Sequence, residues 1–119
     1  MNFVVHNLST GTAVEIQSEK ILIKSEQDAL ELMADIDYNY NSRNLIMREK
    51  NIAPEFFSLK TGLAGAVLQK FVNYRVKLAI IGNFIKYNSK ALQDFISESN
   101  KNNHVLFCSD LETALAHFQ

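Results

Sequence analysis

The run Asn44-Leu45-Ile46-Met47-Arg48 restricts the fold more than any other stretch. Three apolar residues in succession between polar ends suit a short strand covered on both faces, because a half-exposed strand would alternate. A second run, Val76-Lys77-Leu78-Ala79-Ile80-Ile81, stops at Gly82 and is the best candidate for a central strand. Strands of this kind need helices to cover them, and the residues between them have the right periodicity.

Before the first of these runs, Phe3–His6 and Thr12–Gln17 flank the polar, Gly-ended loop Asn7-Leu8-Ser9-Thr10-Gly11, a hairpin signal. Val14 and Ile16 share one face and Glu15 and Gln17 the other, as on a half-exposed edge. Ile21–Ile23 is a short extended piece leading to Ser25, which forms an approximate capping box with Asp28. Ala29, Leu32, Met33 and Ile36 recur at helical spacing, so a first helix is expected from Glu26 to Asp37, with a polar, aromatic loop at Tyr38–Ser42.

Pro54 to Ser58 reads as one helical turn. A second long helix follows, with Leu63, Ala64, Val67, Leu68, Phe71 and Val72 expected to face the sheet. Gly62, Gly65, Ala66 and Gln69 form a nearly bare opposite face. Ser89 caps a third helix running to Asn100, and His104–Cys108 forms the last strand. Ser109 and Glu112 suggest a capping box for a closing helix striped by Leu111, Ala114, Leu115 and Phe118. The expected fold is a single α/β domain over residues 1–119. Its sheet is mostly parallel, with an antiparallel N-terminal hairpin at one margin and about four helices.

Composition narrows the function classes. Apolar residues make up 47% of the chain and charged ones 21%, as in folded rather than disordered proteins. The net charge of −1 hides an uneven spread: −5 over residues 1–42, +7 over 43–90 and −3 over 91–119. The basic middle would favour an anionic partner, or it is simply a set of solvated strand and helix ends. No nucleic-acid recognition motif accompanies it, so binding to nucleic acid is not expected. No apolar run approaches the ~20 residues of a membrane span, and no secretory leader pattern is seen. Cys108 is the single cysteine, which excludes an intramolecular disulfide. The chain reads as cytoplasmic.

The order of elements, with a small-residue motif opening the second long helix, resembles the STAS domain of bacterial anti-sigma factor antagonists. In that family an Asp-Ser-Ser-Gly-Leu segment starts the helix, and the serine before the glycine is phosphorylated by a partner kinase. Leu59-Lys60-Thr61-Gly62-Leu63 occupies the corresponding place, with Thr61 on that serine, Leu59 on the aspartate and Lys60 on the first serine. The run Glu49–Gly62, with Phe56-Phe57-Ser58-Leu59-Lys60-Thr61-Gly62, and the later Asn73-Tyr74-Arg75-Val76 stretch resemble more closely an uncharacterised bacterial family, domain of unknown function 4180. That resemblance spans essentially the whole chain and implies no activity.

The candidate binding residues are therefore Lys60, Thr61, Gly62, Gly65, Ala66 and Gln69. Thr61 caps free helix amides or serves as a phosphoacceptor, where Lys60 and the positive helix end would favour the phosphate. The expected function is a non-catalytic regulatory module that binds an unidentified protein through the Glu55–Gln69 turn and helix. The alternative is a sensor that binds a small anionic or phosphorylated ligand at the same helix start. A weaker third reading is an enzyme around Glu49, Glu55 and Lys60. His6, His104 and His117 show no metal-ligand spacing, and neither a phosphate-binding loop nor a hydrolase elbow is present. No cofactor, metal or catalytic residue is expected. Tyr38, Tyr40, Phe84 and Tyr87 fall in expected loops, where they anchor an interface or cover the sheet ends.

Overall fold

A computed structural model describes all residues from Met1 to Gln119. Five strands form one sheet in the order β1 (Asn2–Leu8), β2 (Gly11–Gln17), β3 (Asn44–Arg48), β4 (Lys77–Ile81) and β5 (Val105–Cys108). The β1–β2 pair is antiparallel and the other three pairs are parallel. Helices α1 (Glu26–Tyr40), α2 (Leu63–Asn73) and α3 (Lys90–Ser99) connect successive parallel strands, and α4 (Leu111–His117) closes the chain.

Alternation along the strands divides the core in two. Val14, Ile16, Leu45, Met47, Leu78, Ile80, Val105 and Phe107 point toward α1, α2 and α3, where Ile36, Val67, Phe71 and Leu92 meet them. Ala13, Ile46, Ala79 and Cys108 point the other way and receive Ala114 and Phe118 at the end of the chain. Three helices thus cover one face and a single short helix covers part of the other. The central position belongs to β3, while β4 lies between β3 and the edge strand β5.

Several boundaries move from the sequence expectation for identifiable reasons. Helix α1 runs a turn further, through Tyr38 to Tyr40, because Tyr40 packs on Phe3 with ring centroids 5.5 Å apart. The stop is Asn41, in the left-handed region at φ 50°. The cap of α4 is Asp110 rather than Ser109: its carboxylate accepts from Thr113 N–H at 2.7 Å. Ser25 and Ser89 cap α1 and α3 as their positions suggest, each accepting an amide three residues on at 3.2 Å.

One buried amide ties the irregular connection before α1 to the end of β3. Asn51 is fully buried and its Nδ2 donates to Ser18 O at 2.8 Å and Lys20 O at 2.9 Å. Its Oδ1 accepts from Arg48 N–H at 3.1 Å, and its own carbonyl accepts from Leu22 and Ile23. Both polar atoms of the buried side chain thus find backbone partners.

Candidate docking surface

The stretch before α2 folds as two short 3-10 turns, Pro54–Phe57 and Leu59–Thr61. Pro54 supplies a ready-made φ at the first position, and Phe56 and Phe57 anchor the turn in the core. Thr61 links the two turns to the helix. Its hydroxyl lies 2.7 Å from Glu55 O and 2.9 Å from Ser58 O, so its one proton serves one carbonyl at a time. The same oxygen accepts from Leu63 N–H at 3.2 Å. Gly62 sits at φ 79°, a left-handed residue between the last 3-10 turn and α2. It is a joint in the backbone rather than part of the bare helix face.

Gly65 is on that face. A Cβ built there would meet nothing within 4 Å. Beside it, α2 and α3 diverge over a groove of about 500 Å³. Gly65, Leu68, Gln69 and Val72 form one wall, Phe95, Glu98 and Ser99 the other, and Val105 belongs to the floor. Val72, expected against the sheet, is instead 41% exposed. Its spacing puts it at the margin of the apolar stripe, and there the helix above β4 has no close neighbour on the α3 side.

The candidate residues thus fall into two groups. Gly65 and Gln69 line the groove, while Ala66 is half-buried outside it. Lys60, Thr61 and Gly62 form the approach to the helix. Lys60 is exposed with no carboxylate partner, and it lines none of the four main cavities.

Glu49 does not join Lys60 or Glu55 in a reactive group. Its carboxylate takes Lys86 Nζ at 2.8 Å, the Tyr87 hydroxyl and Asn83 N–H at 3.3 Å, fastening the loop after β4 to the end of β3. Burial opposes its ionisation, but Lys86 and Tyr87 outweigh that and hold its carboxyl below the usual range. Burial and the adjacent Glu49 charge push the Tyr87 phenol up. Gly82 permits the arrangement, because a Cβ there would lie 2.8 Å from Glu49 Cβ. Burial likewise pushes the Cys108 thiol up, away from nucleophilic use. No three His, Cys, Asp or Glu side chains converge closely enough to hold a metal ion. Of the loop aromatics, Phe84 is buried and Tyr87 stacks on Phe57 at 5.1 Å, whereas Tyr38 is 89% exposed on α1.

A match to a family model, the domain of unknown function DUF4180, runs from residue 9 to residue 118. The chain belongs to the DUF4180 family. No curated protein and no solved structure matches it. Within this DUF4180 chain, one polar group is invisible to simple alternation. Glu15 is 2% exposed on the face opposite α1–α3, with Oε1 2.8 Å from His6 Nε2 and Oε2 2.8 Å from Arg48 Nη1. Burial disfavours its charge, but His6 and Arg48 overcome this and hold its carboxyl below the usual range. The row His6–Glu15–Arg48 crosses β1, β2 and β3, and only the pairing of the strands brings it together.

Proposed function

We propose that this DUF4180 chain is a non-catalytic, cytoplasmic docking module whose protein partner seats along α2, in the groove that α2 shares with α3. The observation that carries the reading is Gly65. A glycine inside a helix costs about 1 kcal/mol against alanine, and here no atom of the chain uses the space its missing side chain leaves. The apolar wall beside it, including the exposed Val72, suits a partner side chain better than bulk water.

Sheet topology favours a docking role over the small-ligand alternative. In open α/β sheets, ligands settle in the crevice where the strand order reverses. Here the order runs β1 to β5 without reversal, so the sheet has no such switch point. The STAS resemblance adds a switch at Thr61. Phosphorylation would replace the proton that Thr61 gives to Glu55 or Ser58 and bring charge beside Lys60, remodelling the approach to α2.

Site-specific photo-crosslinking in the native cell tests the reading. A crosslinker replacing Gln69 should give a discrete protein adduct, one at Glu112 on α4 should not, and Thr61→Glu should change the yield. Equal adducts from both positions would defeat it.

A further inference from the structure

An open sheet has two edges, and this chain treats them differently. At β5, the carbonyls of His104 and Cys108 accept from Leu78 N–H and Gly82 N–H at 2.7 and 2.9 Å, so the backbone groups of Val105 and Phe107 face outward. The end of α3 occupies three of these four groups. Ser99 Oγ donates to Val105 O at 3.2 Å, Asn100 Nδ2 donates to Phe107 O at 3.0 Å, and Asn100 Oδ1 accepts from Phe107 N–H at 2.8 Å. One side-chain amide stands in for the next strand, and that edge is closed.

The β1 edge has no such cover. All seven of its residues pair with β2 in unbroken register, and the strand contains no proline, bulge, lysine or acid. These are the devices by which proteins usually guard an edge. No hydrogen bond from outside the hairpin reaches the backbone of Asn2–Leu8. Alternate residues therefore present N–H and C=O groups outward, and Val5 at the middle is 42% exposed.

Charge selects the occupant. The α2 side of α1 is marked by the Glu26–Lys70 pair and by Leu30, Met33 and Ala34. Helical spacing turns Glu31 and Asp35, both exposed, toward the other flank, above the β1 side of the sheet. Pairing two copies through β1 would bring two acidic flanks together. A strand carrying Lys or Arg would instead be drawn to the same flank. We infer that the β1 edge accepts an extended, basic segment of a partner protein as an additional strand.

Two synthetic peptides, one alternating Val with Lys and one alternating Val with Glu, can be titrated into the full chain with amide hydrogen exchange as the readout. The Val/Lys peptide should slow exchange of the outward amides of β1 by about tenfold or more. The Val/Glu peptide should leave them unchanged. N-methylation of the Val/Lys peptide along one edge should remove its effect without any change to the protein. Glu31→Lys with Asp35→Lys should shift the preference toward the Val/Glu peptide. Equal response to both peptides, or protection away from β1, would overturn the inference. Concentration-dependent self-association protecting β1 would overturn it too, by assigning the edge to a second copy.

Discussion

Glu15 and Arg48 form an ion pair 2.8 Å long beneath the open side of the sheet, with the carboxylate almost wholly buried and the guanidinium at the margin. Removing one member leaves the other without its partner. Arg48→Met should cost about 2–4 kcal/mol, because the Glu15 charge stays buried while His6 alone compensates it. Glu15→Leu combined with Arg48→Met should cost less than Arg48→Met alone. Urea denaturation of the three proteins measures the difference.

The same carboxylate makes stability depend on pH. A carboxyl group held below its unfolded value stabilises the fold above that value, about 4.3 for glutamate. The contribution is lost as pH falls through the lower, folded value. Glu15 and Glu49 are both held down, so the stability these two carboxylates contribute should be complete above about pH 5 and fall below it. Glu15→Gln should be less stable at neutral pH and show a shallower acid slope. Thermal melts from pH 3 to 7 report both.

Asn51→Ala should be among the most damaging single changes outside the apolar core. It strips partners from the carbonyls of Ser18 and Lys20 and from Arg48 N–H, all at a fully buried side chain. A loss of about 2–4 kcal/mol is expected, since each buried group left unpaired costs about 1–3 kcal/mol and solvent recovers part of that. Chemical denaturation checks it.

Two glycines three positions apart should respond to alanine with opposite signs. Gly62→Ala forces a Cβ into the left-handed region and should destabilise by about 1–2 kcal/mol. Gly65→Ala puts a methyl group into open space within a helix and should stabilise by about 0.5–1 kcal/mol. If the groove is the docking surface, bulkier Gly65→Leu should abolish the Gln69 adduct while keeping the fold, by circular dichroism.

Gly82→Ala should loosen the loop after β4. Its Cβ would press on Glu49 and on the Phe84 ring, each under 3.0 Å away. Relieving the clash moves the Glu49 carboxylate that Asn83 N–H and the Tyr87 hydroxyl share, so Tyr87 should titrate at lower pH than in the parent. Ultraviolet absorbance during alkaline titration shows the change.

The elements legible in the sequence are those governed by neighbours along the chain. Asn44–Arg48 announced β3 by its apolar run, and Ser89 marked the start of α3 by its capping chemistry. Glu15 was not legible as a buried residue. Alternation tells which residues share a face but not what crosses that face, and His6 and Arg48 come from two other strands. Phe84 and Tyr87 sat in a polar loop, yet they complete an aromatic cluster with Phe57 that only the folded chain assembles. Gly65 and Gln69 were legible as a bare side of α2, but Gly62 proved to be the joint before the helix, and the gap between α2 and α3 depends on how helices fan across the sheet. Thr61 was legible as a hydroxyl at a helix start, but its bonds run back to Glu55 and Ser58.

Because each strand lies beside its predecessor in the chain, most of this sheet can assemble in the order of synthesis. The hairpin can form early, and each later strand finds its neighbour already placed, without waiting for distant segments to meet. Asn100 leaves the ribosome ahead of Phe107, whose outer backbone groups it occupies. The last strand can therefore join the sheet with its far side already satisfied, and growth in that direction stops with it.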